Sequence, residues 1–162
     1  MLLGVYENKP LGGSSYIELP KYIISRRAVI NPQNIDHQCF KWAILAKHVA
    51  HDHRNRVGKN YLNEVYRYDF SSLSVPTPVS EIALFDRCNF GTSVNVYAVR
   101  KNIESTTRDV VYPIRVTDEE RKNHFHILLI EDSEKSHYAY IVDFSQLISG
   151  QKNTHGHKMF IC

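Results

Sequence analysis

Asn34-Ile35-Asp36-His37-Gln38-Cys39-Phe40-Lys41-Trp42-Ala43-Ile44-Leu45-Ala46 is the stretch on which the fold turns. Phe40, Ala43, Ile44 and Ala46 recur at helical spacing, and the residues ahead of Cys39 are polar with capping capacity. The pattern predicts a helix that opens at Cys39 and runs to about Ala50. A thiol in the first helical turn meets the positive end of the aligned peptide dipoles, which favours the thiolate. Far downstream, Ser136-His137-Tyr138-Ala139-Tyr140-Ile141-Val142 sets a histidine at the mouth of a strand-like run. A cysteine opening a helix and a histidine opening a strand supply the nucleophile and base of thiol chemistry.

Outward from that stretch, residues 1–27 read as an extended lead-in, punctuated by Pro10, Gly12-Gly13 and Pro20, and Ala28–Asn31 is a short strand stopped by Pro32. Beyond His51-Asp52-His53-Arg54-Asn55-Arg56, a weaker helix is expected around 58–67, with Tyr61, Leu62, Val65 and Tyr66 inward. Residues 71–78 form a loop, and 79–88 form a third helix capped by Ser80 or Thr77, with Ile82, Leu84 and Phe85 apolar. After Gly91 the period changes to that of strands: 93–99, 110–116 and 125–130, with 125–130 and 138–142 paired as an antiparallel hairpin. Phe144–Ile148 is a helical turn, and 158–162 a last strand. Helices followed by strands predict an α+β domain, with N-terminal helices packed on a C-terminal antiparallel sheet.

At 162 residues the chain fits one domain, with 43% hydrophobic and 23% charged residues in the soluble globular range. A net charge of +3, with basic residues scattered, does not indicate nucleic acid. The short clusters Arg26-Arg27 and Arg54 to Arg56 read as solvated surface. No apolar run is long enough to span a bilayer, so no membrane partner is expected. The start of the chain is a poor signal peptide. Cys39, Cys88 and Cys162 are too few for a disulfide framework, which points to an intracellular, reducing setting, cytoplasmic or nuclear. Cys88 is expected to be buried and inert at the end of an apolar helix.

Thiol catalysis also needs oxyanion donors. The Cys39 amide is one, and Asn34 and Gln33, five and six residues ahead, are the side-chain candidates. A third group must orient the histidine. Asp143 is the nominee, although six residues of extended chain span about 20 Å, and Asp143-Phe144-Ser145-Gln146 also reads as a capping box. Asn153 and Asp132 are the substitutes. His48, His51 and His53 read as a solvated helix end. His124 and His126 share a strand face, expected beside His137, and His155 and His157 form another His-x-His pair. None of these sets brings the three or four converging ligands of a zinc site, so neither metal nor other cofactor is expected.

Several segments resemble a domain of proteins from self-synthesising DNA transposons of the Maverick or Polinton kind. They are Gly12-Gly13-Ser14-Ser15-Tyr16-Ile17 through Leu19-Pro20, Ala28–Asn31, Asn34-x-Asp36-x-x-Cys39-Phe40-x-Trp42, Val111-Tyr112-Pro113, His124–Ile130, His137-Tyr138 and Asp143-Phe144-Ser145-x-Leu147. Such domains are similar to papain-fold deubiquitinating enzymes of the viral tegument and ovarian-tumour types. Asp36-x-x-Cys39-Phe40 resembles the ovarian-tumour Asp-Gly-x-Cys signature, and His137-Tyr138 its His-Tyr. Two departures are His37 in place of the glycine, and no Asp or Asn two residues after His137.

The resemblance implies a papain-like fold and a monomeric thiol isopeptidase acting on ubiquitin or a ubiquitin-like modifier. Cys39 would be the nucleophile and His137 the base. The alternatives are an endopeptidase processing transposon-encoded structural proteins, and a non-catalytic interaction or nucleic-acid module. The resemblance also implies that 158–162 begins a zinc module, with Cys162 its first ligand.

Overall fold

Pro20 precedes the first helix seen in the computed structural model, which describes residues 16–100, 110–132 and 135–149. In chain order the elements are α1 (Lys21–Arg26), β1 (Val29–Ile30), α2 (Cys39–Leu45), α3 (Lys59–Leu62), α4 (Ile82–Cys88), β2 (Thr92–Arg100), β3 (Val110–Arg115), β4 (Asn123–Glu131), β5 (Ser136–Ile141) and α5 (Phe144–Leu147). Single 3₁₀ turns at His51–His53, Val65–Arg67 and Val79–Glu81 link them. The fold is mixed α+β, built on one five-stranded sheet of order β1-β5-β4-β2-β3. Among the described residues no helix is long and apolar enough to cross a membrane.

The sheet departs from the antiparallel expectation. β2 pairs with β4 in parallel, while β1/β5, β4/β5 and β2/β3 are antiparallel. The cause is where β3 lies. It folds back on the outer side of β2, so β4 must take the inner side and run in the direction of β2. Residues 116–122 make this crossover at the start of β2, and polar groups pin it there. Asn95 Oδ1 accepts from the Thr117 amide at 2.9 Å, Ser93 Oγ from the Arg121 amide at 2.9 Å, and the Gly91 carbonyl from the Asn123 amide at 3.0 Å. Gly91 has φ 83°, a left-handed turn conformation that glycine adopts without strain.

Both faces of the sheet are covered, and strand alternation assigns the residues. On one face Cys39, Phe40, Ala43 and Ile44 of α2, with Ile82 and Phe85 of α4, pack on Val94, Val96, Phe125, Ile127, Leu129 and Tyr138. The Phe40 ring meets Phe85 and Tyr138 edge-on at centroid distances of 5.4 and 5.3 Å. On the other face Ile23 of α1, with Leu147 and Ile148, covers Tyr97, Leu128, Ile130, Ala139 and Ile141. Two-sided burial is why β4 carries the unbroken run Ile127-Leu128-Leu129-Ile130.

Several elements are shorter than the periodicity predicts. α1 lies inside the lead-in because Pro20 fixes its entry and Arg27, at φ 53°, closes it, although only Ile23 of its residues is buried. α2 stops at Leu45: the apolar run ends at Ala46, its C-cap, and Lys47 and His48 turn aside to Asn123 and Tyr68. In the 58–67 region Tyr61 is buried, but Leu62 and Tyr66 point outward, 61% and 78% exposed. Here the chain is a helical turn followed by a 3₁₀ turn, which breaks the expected stripe. Thr77 caps no helix; its hydroxyl bonds the Ser74 carbonyl instead. The expected strand at 158–162, Cys162, His155, His157 and Asn153 lie outside the described residues.

Candidate functional site

The motif around Cys39 builds the entrance to α2. Asp36 sits at its centre. Its carboxylate accepts from Trp42 Nε1 at 2.9 Å, the Gln38 amide at 3.1 Å, Gln38 Nε2 at 3.2 Å and Asn34 Nδ2 at 3.0 Å. Burial alone would raise the Asp36 carboxyl, but these donors together hold it below its ordinary range. Asn34, Asp36 and Trp42 of the motif are therefore joined in one hydrogen-bonded unit that fixes the first turn of the helix. With Asn34 Nδ2 also 2.6 Å from the Asp36 carbonyl, the Asn34 amide is committed to that unit. Gln33 is exposed, and its backbone joins Asn55 and Val57.

Cys39 is the first residue of α2 and 1% exposed. Burial pushes its thiol from 9.0 up to about 12, against the opposing pull of backbone N–H groups of Tyr138, Phe40 and Cys39 itself. Asp36 adds a further push in the same upward direction. The favourable end of a short helix thus loses to desolvation, and the thiol is held protonated in this state.

His137, the second residue of β5, is fully buried. Its Nε2 lies 2.6 Å from Asn31 Oδ1, and the Tyr16 ring stands edge-on to it at 5.6 Å. Tyr138 and Tyr140 face α2, so alternation turns His137, with Ala139 and Ile141, toward the opposite layer. The structure therefore brings the Cys39 sulfur to the backbone N–H of the residue after His137, while the imidazole turns to Asn31.

Asp143 is the N-cap of α5, its Oδ1 accepting from the Gln146 amide at 2.9 Å, which is the capping role its sequence context also allowed. Asp132 is exposed in the β4–β5 turn. The partner that the structure gives His137 is Asn31, which sequence reasoning missed. The available signal was a polar residue ending the short strand just before Pro32. A groove of about 320 Å³ opens beside it, lined by Tyr16, Leu19, Asn31 and Gln33 among others.

The remaining histidines divide. His48 Nε2 is 2.7 Å from the Tyr68 hydroxyl, and His51 and His53 are exposed. His124 and His126 do share a face of β4, but they are not beside His137, which is paired with Ile130 near the far end of that strand. Cys88 is exposed rather than buried, because α4 turns Ile82 and Phe85 inward and its last residue outward. Comparison of the chain with protein-family models, with curated proteins and with solved structures finds no match.

Proposed function

We propose that this domain is a papain-like thiol hydrolase held in a closed state, with Cys39 as nucleophile, His137 as base and Asn31 as the residue that orients the imidazole. The observation that carries the reading is the buried His137–Asn31 pair at 2.6 Å, one residue along β5 from the N–H that meets the Cys39 sulfur. An amide oxygen beside Nε2 fixes the ring, and the imidazole is the group that would take the thiol proton. The N–H groups of Cys39 and Phe40 would then serve an oxyanion. Catalysis requires the start of β5 and the segment at Tyr16 to yield, so that the ring and sulfur face one another. The substrate class, ubiquitin or a ubiquitin-like modifier, rests on the resemblance of Asp36-x-x-Cys39-Phe40 and His137-Tyr138 to deubiquitinase motifs.

The test is reaction with ubiquitin bearing a C-terminal alkyne electrophile. One adduct on Cys39 is expected, absent in Cys39→Ala and slowed in His137→Gln and Asn31→Ala. No adduct with ubiquitin or its common homologues, together with no cleavage of unmodified peptides, sinks the reading. A second reading, a non-catalytic module, is favoured by one observation: a sulfur 1% exposed with its thiol pushed up to about 12 behaves as core. Under that reading Cys39→Ala changes stability alone.

A further inference from the structure

We propose that Glu120, His124 and His126 form a binding site for a first-row divalent transition-metal ion, with zinc the first candidate, clamping the β3–β4 crossover onto the sheet. The site lies on the face opposite Cys39 and is independent of the hydrolase reading. One ligand atom from each residue lies within 4.8 Å of the other two, and His124 Nε2 is 3.7 Å from Glu120 Oε1. Metal–ligand bonds of about 2 Å need these atoms roughly 1 Å closer. Glu120 supplies that movement, since its side chain is 57% exposed on the crossover. The imidazoles are already neighbours, with centroids 4.7 Å apart.

The surroundings of the histidines suit ligation more than packing. Ser93 Oγ is 2.6 Å from His124 Nδ1, and the Tyr97 hydroxyl is 3.3 Å from His126 Nδ1. In the tautomer that donates each Nδ1 proton to its hydroxyl oxygen, each Nε2 would keep its lone pair, the arrangement that outer-shell partners impose on metal-bound histidine. Phe144 stacks on His126 at 5.2 Å and 15°, fixing that ring. His124 Nε2 is buried with no hydrogen-bond partner, an unfavourable arrangement that a metal bond would relieve. Ser93 Oγ also accepts from the Arg121 amide, so the residue that orients His124 anchors the loop carrying Glu120. Two imidazoles and one carboxylate favour a transition metal over magnesium or calcium, and leave coordination positions for water. The pattern His-x-His names two ligands in the sequence; the third arrives only through the crossover.

The experiment is titration of the metal-stripped full chain with Co²⁺, read by visible d–d absorption, followed by displacement with Zn²⁺. One absorbing Co²⁺ per chain is expected, displaced by zinc, with a rise in melting temperature. Glu120→Gln, a surface change that leaves the fold intact by circular dichroism, should weaken binding at least about tenfold, and Ser93→Ala about 10–100-fold, the usual range for outer-shell partners. His126→Gln should abolish the bands, whereas His51→Asn with His53→Asn should leave them unchanged. Absence of d–d bands, or bands that survive both Glu120→Gln and His126→Gln, overturns the proposal. The second outcome would place the metal on other histidines of the chain.

Discussion

Alkylation of Cys39 by iodoacetamide measures directly how the fold treats the thiol. Only the thiolate reacts, and the burial that raises the group from 9.0 to about 12 makes thiolate about a thousandfold scarcer at pH 8. Access adds to this, since a sulfur 1% exposed must await local opening. Cys88, exposed at the end of α4, is the internal reference. Peptide mapping by mass spectrometry, with rates for each cysteine, should place Cys39 at least about a thousandfold behind Cys88 at pH 8. A Cys39 rate within about tenfold of Cys88 would refute the burial argument and mean that the ground state in solution is already open.

Asp36→Ala leaves the indole N–H of Trp42 without its acceptor and should cost about 3 kcal/mol in urea unfolding; a loss under about 1 kcal/mol would show that water replaces the carboxylate. Because the Asp36 carboxyl is held below its ordinary 3.8, its contribution is present above about pH 4 and fades as pH falls through the lower folded-state value. Stability curves of wild type and Asp36→Asn should therefore converge only in strong acid, and convergence at neutral pH would contradict the assignment. Phe40→Ala empties the space between Phe85 and Tyr138 and should cost about 3–5 kcal/mol, read as a shifted denaturation midpoint; a change within error would mean the core refills. Asp143→Ala should lose about 1 kcal/mol of helix capping and leave any Cys39 reactivity intact, so a reactivity collapse at unchanged stability would restore Asp143 to the catalytic set.

Much of the fold is legible in local pattern. The apolar spacing after Cys39 marks α2, the alternation and apolar runs after Gly91 mark the strands, and the polar turn at 131–136 marks the β4–β5 hairpin. Pairing order is not legible, because nothing local tells β4 which side of β2 to take. The exposure of Leu62 and Tyr66 also depends on a helix breaking after one turn, which summed propensity does not reveal. At the candidate site the sequence marks Cys39 and His137 but not the direction in which a strand turns a side chain. One residue of register decides whether an imidazole faces α2 or the opposite layer. Asn31 escaped notice because its partner lies over a hundred residues away, and Asp143 was ambiguous because capping and catalysis use the same carboxylate.

The strand order has a consequence for how the domain comes into being. The β4–β5 hairpin is a wedge: it enters between β1 on one flank and the β2–β3 pair on the other, all three of which precede it in the chain. Until that wedge emerges from the ribosome, β1 shares no ladder with the β2–β3 pair, and α2 has little beneath it to cover. Synthesis up to the end of β3 therefore yields two separated fragments of sheet awaiting a keystone. Nascent chains stalled before residue 123 should stay open to proteolysis, and protection should come in one step once Ile141 is released.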